Sequence, residues 1–388
     1  MICGVTTEYN PLHNGHIHQL NELRRNGAET IVAVMSGNFV QRGEPAICDK
    51  WTRARAAVEC GVDLVVELPS AWVVASAQRF AEAAVGMMAK LGVDTIGFGC
   101  ECGDGKLLKS AAEYLSKEEF HFKIKKYIAK GMNYPSAVSK AAELYSDILS
   151  GANNALAIEY IRAAEKRIEN CNFIAVKRIG TGHDEHETED KFASASKIRK
   201  MIVSGENYSH FIPETMASSL EKALSEGLAP ASLVRIERGI IAKLRTMSPE
   251  ELRAVPDVSE GLENRILSAA KSVSDLESLY GAVKSKRFTH ARIRRIILNA
   301  YLDTTASLQN APVPYIRPLA FNKRGSELIK AAADQGLPIY TKSSKFAADP
   351  RCSAAFEHEA KTGSVYALCL PDPLKIVDEY RATPAAVL

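Results

Sequence analysis

The stretch that most constrains this chain is the apolar run Ile2 to Val5 followed closely by Asn10-Pro11-Leu12-His13-Asn14-Gly15-His16. A short apolar run bounded by turn residues reads as a buried parallel strand. Asn10-Pro11 turns the chain, and Gly15 gives the backbone room to approach a ligand before a helix expected from His16 to Arg25. Free N–H groups and the positive end of the helix dipole favour an anion at such a start. His13 and His16, three residues apart, can both donate hydrogen bonds to phosphoryl oxygens. The same pair also fits a solvated helix cap, so the order of the surrounding elements has to decide.

That order is βα throughout the first half. Strands are expected at Glu29 to Ser36, Val62 to Leu68, Val93 to Gly99 and Phe173 to Ile179, with helices at Asp49 to Cys60 and Ala77 to Leu91. Right-handed crossovers then make an α/β fold with a doubly wound parallel sheet, Rossmann-like in architecture, whose ligand crevice lies outside the carboxyl ends of its strands. Gly37 and Gly99 fall at such ends. Residues 105 to 170 read as helices at Lys106 to Leu115, Lys117 to Lys130, Tyr134 to Tyr145 and Ala155 to Lys166. Two readings stay open at three places. Arg42 and Lys50 reach phosphates or belong to a solvated basic face with Arg53 and Arg55. Asn153 and Asn154 read an adenine or ribose edge or cap a helix. His183 and His186 bind a metal or sit in a solvated loop.

A chain of 388 residues suits two cores better than one. The character changes past Gly205, where moderate helices alternate with loops at Pro213, Pro230, Pro249 and Pro256. The expected division is residues 1–204, an α/β domain carrying the phosphate site, and 205–388, a mainly helical domain. A formal net charge of +3 permits an acidic partner without demanding one. The eight cysteines are scattered and lack metal-ligand spacing, which suits reduced core thiols. No apolar run is long enough to span a membrane, and Met1 leads directly into the first strand, so a cytoplasmic location is expected.

A second motif follows the fifth strand. Ala193-Ser194-Ala195-Ser196-Lys197-Ile198-Arg199 opens a helix running to about Val203, with hydroxyls where caps belong. Together with His13-Asn14-Gly15-His16, it resembles the paired signatures of the nucleotidyltransferase superfamily that cleaves ATP between its α and β phosphates. The resemblance implies that His13 holds phosphate oxygens and that His16 stabilises charge on the α-phosphate in the transition state. Ser194, Ser196 and Arg199 match the second motif. Asn10 departs from the Asp found in many members, which removes a negative charge beside the phosphates.

Over most of the chain the similarity narrows further. Glu8 to His16, Met35 to Pro45 and Asp63 to Pro69 resemble the bacterial tRNA(Met) cytidine acetate ligase family. That resemblance implies an ATP-dependent ligase. It activates acetate as acetyl-adenylate and transfers the acetyl group to the exocyclic amine of the wobble cytidine of elongator tRNA(Met), with neither membrane nor DNA as partner. It implies an ATP loop made of Thr6, Thr7, Glu8, Tyr9, Asn10, Pro11, Leu12, His13, Asn14, Gly15, His16, Ile17, His18 and Gln19. Gly99, Asn153 and Arg178 match further nucleotide contacts, and His13, His16 and Arg199 are the expected catalytic group. Mg2+ accompanying ATP is expected to relieve repulsion between two anions; no protein metal ligands are assigned.

The second half holds one notable segment, Lys284 to Arg295, with six Lys or Arg and no acid. It is followed by the apolar Ile296 to Leu302. Lys284, Lys286, Arg287, Arg292 and Arg295 are therefore expected along an RNA backbone, against the alternative of a solvated face. Two other functions fit the chain: an adenylyltransferase joining AMP to a small phosphorylated metabolite, and an RNA-binding homologue without activity.

Overall fold

The computed structural model describes residues 1–132, 134–179, 191–259 and 261–387. Five parallel strands form the expected sheet: β1 (Ile2–Thr7), β2 (Thr30–Ser36), β3 (Leu64–Leu68), β4 (Thr95–Cys100) and β5 (Asn172–Lys177). Four of the helices between them start on a side-chain cap from their own N-cap residue. Helix α1 (Asn14–Arg25) is capped by His13, and α2 (Lys50–Glu59) by Asp49, whose Oδ1 accepts from the N–H groups of Trp51 and Thr52 at 2.8 and 3.0 Å. Helix α3 (Ala77–Lys90) is capped by Ser76. Helix α4 (Gly105–Ser116) and α5 (Ala152–Glu165) follow β4, and α6 (Ala195–Ser204) follows β5.

The sheet is buried on both faces, as parallel sheets must be. Alternate residues of β2 divide between two cores, with Val32 and Val34 on one side and Ile31, Ala33 and Met35 on the other. The first core takes in Phe80, Ala84 and Met88 of α3 and Ile158 of α5. The second takes in Leu20 and Leu23 of α1, Ala54 and Ala57 of α2 and Ile198 of α6. Gly97 of β4 lies so close to α1 that a Cβ there would come within 2.4 Å of Leu23 Cδ2.

The expected division near residue 205 does not separate two cores. The second half is helical over much of its length, including α7 (His290–Tyr301). It then returns to the sheet through β6 (Pro318–Phe321), antiparallel to β3, before α8 (Ser353–Ala367) and the short β7 (Ala385–Ala386). The seven-stranded order is β5-β4-β1-β2-β3-β6-β7. Ile240, Ile266, Leu279 and Ile296 join the same apolar cluster as Val32 and Ile158. Burying them against the sheet side of the fold is what makes the halves one body.

Lys50 is part of that junction and not of a phosphate site. Its Nζ is fully buried, 2.5 Å from Glu67 Oε1 and 2.9 Å from Glu379 Oε1. Arg317 completes the cluster at 3.1 Å from Glu67 and 2.6 Å from Glu379. Glu359 accepts from the Ser70 N–H at 2.6 Å. Two cations, Lys50 of α2 and Arg317 just before β6, thus tie β3 to α8 and the C-terminal segment. Among the described residues no helix is long and apolar enough to cross a membrane.

Candidate active site

The carboxyl ends of β1, β4 and β5 open on a cleft lined by His13, Gly15, His16, His18, Gln19, Gly99, Arg178 and Ser194. The turn that delivers His13 is held from several sides. Tyr9, 2% exposed, sits at φ 43°, the left-handed region, and its ring packs edge-on against His16 at 5.0 Å. A bulky residue held there costs on the order of 1–3 kcal/mol. Asn10 is buried, and its Oδ1 accepts from the Ile47 N–H at 2.7 Å. Its carbonyl accepts from Arg199 Nη1 at 2.9 Å.

Beyond the turn, the two histidines cap α1 reciprocally. His13 Nδ1 accepts from the Gly15 N–H at 3.1 Å, and His16 Nδ1 accepts from the His13 N–H at 3.2 Å. An acceptor nitrogen cannot carry the proton of a neutral imidazole, so each ring has its N–H at Nε2. The rings stack with centroids 3.7 Å apart. Burial pushes the His13 pKa down to about 4, with Arg178 adding to the effect. Burial, then His13 and Arg178, hold His16 well below the ordinary value. Both are neutral donors at pH 7. Gly15 is required for this arrangement, since a Cβ there would meet His13 Cε1 at 2.9 Å.

Other residues of the expected ATP loop turn inward. Leu12 is fully buried, Pro11 is buried, Ile17 packs on the core, and the hydroxyl oxygens of Thr6 and Thr7 are enclosed. Glu8 Oε1 accepts from the Gln41 N–H at 2.9 Å. Burial raises its pKa despite that bond and the charge of Arg199. Asn14 Nδ2 donates to the carbonyls of Lys191 and His210, 2.9 Å each, clamping the helix start to the segments around α6. These residues shape the loop, and contact with a ligand from Tyr9, Asn10 or Leu12 would be through backbone.

The second motif lies where expected. Ser194 caps α6 through the Lys197 N–H at 3.2 Å, and its Oγ is 3.1 Å from Ser196 Oγ. Arg199 does not line the cleft; it braces the carbonyl of Asn10, acting through the turn. The asparagine pair is not the helix cap. The helix begins at Ala152, so Asn153 and Asn154 lie in its first turn and neither is the N-cap. The cap is supplied across the fold by Glu101. Its carboxylate accepts from Asn153 Nδ2 at 2.7 Å and from the N–H groups of Asn153 and Asn154 at 3.1 and 2.8 Å. Burial pulls the Glu101 pKa up, but these bonds outweigh it and hold the carboxyl below its ordinary value. Asn153 is thus committed to Glu101, and Asn154 Oδ1 accepts from the Glu101 N–H at 2.9 Å.

Arg53, read as one cation of a basic face, is fully buried and was missed. It donates to the carbonyls of Glu8 at 2.6 Å and Ser36 at 3.2 Å, and also to that of Gly37, fastening the ends of β1 and β2 together. No spacing rule exposes such a residue, because a charged position on an amphipathic helix looks the same whether it meets solvent or carbonyls. Arg42 is exposed. His183 and His186 lie outside the described residues.

The basic segment splits in two. Lys284, Lys286 and Arg287 are exposed on the approach to α7. Arg292, by contrast, donates to the Asp257 carbonyl at 2.7 Å and to Ser259 Oγ at 2.7 Å, and Arg295 pairs with Asp257 at 3.3 Å. Arg294 pairs with Glu44 at 2.7 Å. The part inside α7 therefore fastens loops, for which a helix facing protein on most sides leaves no choice; only the part before it presents charge to solvent.

The HIGH Nucleotidyl Transferase family matches residues 1–379. The tRNA(Met) cytidine acetate ligase of Acetivibrio thermocellus is 35% identical over 96% of each chain. The enzyme of the same name from Caldanaerobacter subterraneus is 37% identical over 94% of each. Among solved structures, Thermotoga maritima TmcAL bound with alpha-thio ATP superposes with a TM-score of 0.90 at 29% identity, covering 100% of this chain and 99% of that one. The chain belongs to the HIGH nucleotidyltransferase family and, within it, to the tRNA(Met) cytidine acetate ligases.

Proposed function

We propose that this protein is an ATP-dependent ligase acting in the cytoplasm, which makes acetyl-adenylate from acetate and passes the acetyl group to the wobble cytidine of elongator tRNA(Met). In the first step an acetate oxygen attacks the α-phosphorus of ATP and the bond to the β-phosphate breaks, releasing pyrophosphate. In the second the exocyclic amine attacks the acetyl carbonyl, AMP leaves, and a proton is lost from nitrogen, giving N4-acetylcytidine.

The observation that carries this reading is the pair of neutral imidazoles at the start of α1, each with Nδ1 occupied by a backbone N–H and Nε2 left to donate. They stand beside Arg178 in a cleft at the carboxyl ends of the strands. The barrier to the first step is repulsion between two anions, and fixed donors aimed at the α-phosphate relieve it without reorganising. His16 is the donor to the developing charge and His13 the phosphate holder. Arg178, Gly99 and Ser194 border the nucleotide, and Arg199 positions the turn. Among the described residues no three His, Cys, Asp or Glu could together hold a metal. Mg2+ accompanying ATP would supply positive charge that relieves the repulsion between the two anions. The exposed Lys284, Lys286 and Arg287 are the RNA-facing remainder of the basic segment.

The test is to mix protein, ATP, Mg2+ and each of several small carboxylates, with and without bulk tRNA. Pyrophosphate and AMP are then measured, and RNA is digested for mass analysis. Acetate-dependent AMP with acetylated cytidine is expected. A dinucleotide built from AMP and a phosphorylated metabolite, with unmodified RNA, would establish an adenylyltransferase instead.

A further inference from the structure

A second groove leaves the cleft along the outer edge of the sheet. Its floor is β5, the edge strand, and its walls are α1, through His18 and Glu22, and the start of α4, through Lys106 and Lys109. His18, Val176 and Lys177 line both this groove and the cleft, so the two are continuous. Six residues of strand give it a length of about 20 Å.

The charge of this groove is one-sided in what it offers to solvent. Lys106, Lys109 and Lys177 are exposed, and none has a carboxylate of a described residue within ion-pair distance. The two acids along it are committed locally: Asp104 Oδ1 caps α4 through the Leu107 N–H at 3.0 Å, and Glu22 is 2.5 Å from Arg25. Phe173, only partly buried, lies on the floor.

We infer that this groove seats a single-stranded stretch of the RNA substrate, with lysines on its phosphates, and leads the target nucleotide into the cleft. The inference rests on the RNA-acetylating reading above. The acceptor amine must meet an acyl carbonyl held beside His13 and His16, and a base can do so only after leaving its stack. Its neighbours in the strand must then cross protein at the mouth of the cleft. A cationic track with an aromatic ring on its floor is what an unstacked strand requires. The competing explanation is that lysines merely keep an edge strand from pairing with another chain.

The two explanations part on the Lys106→Ala/Lys109→Ala variant of the full chain. Each lost phosphate contact should lower the salt slope of tRNA binding by roughly 0.7–0.9, and the pair should weaken binding about tenfold at moderate salt. Lys106→Arg/Lys109→Arg should bind as wild type does. Wild-type affinity and slope in the alanine variant would overturn the inference, and self-association in its place would identify edge protection. If wild-type protein neither binds nor acetylates tRNA, the failure belongs to the functional reading, so the two outcomes are told apart by the unsubstituted chain.

Discussion

Replacing His16 tests whether its ring serves the helix or the reaction, because the structure gives it both tasks. His16→Ala removes the acceptor of the His13 N–H, half of the reciprocal cap. That loss should cost about 1 kcal/mol, or roughly 2 °C in melting temperature for a chain of this size. It also removes the Nε2 donor, worth ~3 kcal/mol at the transition state, or on the order of a hundredfold in turnover. His16→Gln separates the two. Gln at the third helical position is a natural capping partner, able to accept the same N–H, but its amide cannot occupy the position of Nε2. The assay is acetate-dependent exchange of labelled pyrophosphate into ATP, read with a thermal melt. We expect His16→Ala to lose both stability and turnover, and His16→Gln to recover the melting temperature while exchange stays down about a hundredfold, with a smaller change in the Michaelis constant for ATP. Recovery of exchange in parallel with melting temperature would refute the catalytic assignment and leave His16 a cap.

Acid should act through the same pair. Because burial holds His13 at about 4, below the ordinary 6.5, the unfolded chain binds its proton first. Stability should therefore fall as pH drops from about 6.5 through about 4, by at most ~3 kcal/mol from this group. Denaturant titrations should show a shallower loss over that window for His13→Gln. In the buried cluster, burial and then Glu67 push Glu359 well above the carboxylate range, whereas Lys50 and Arg317 hold Glu67 below it. Glu359→Gln should accordingly cost less than about 1 kcal/mol, and Glu67→Gln, which strips a buried lysine and arginine of their partner, about 3–5 kcal/mol. Equal losses for the two would contradict the assigned protonation. For the basic segment, Lys284→Ala/Lys286→Ala should flatten the salt slope of tRNA binding while leaving the melt unchanged. Arg292→Ala should lower the melting temperature by freeing the 257–259 loop. A lower melting temperature in the first variant, or none in the second, would reverse the division.

The strands and the two helix-opening motifs were legible because their signals are local. An apolar run ending in a turn and Ser194 at a helix start each act within a few residues and stand where they were expected, whereas the helix expected from His16 starts two residues earlier, at Asn14, and takes Gly15 into its first turn. What could not be read is whatever depends on a partner far along the chain. Asn153 and Asn154 had the composition of a cap, yet Glu101 performs that task from the end of β4, some fifty positions earlier, and leaves the asparagines inside the turn. Lys50 and Arg53, three positions apart, share a helix face and meet carboxylates and carbonyls supplied by the sheet and the C-terminal segment, whereas Arg55 leaves the opposite side and keeps to the surface. Position along a helix reports the angle at which a side chain leaves it and nothing of what waits there. The same limit hid the return of β6 to the sheet: Pro318 to Phe321 is four residues long, too short for periodicity to distinguish a strand from a loop. Its pairing with β3 supplies Arg317 to Glu67, and through that contact the last seventy residues hold the sheet from which the turn carrying His13 and His16 departs.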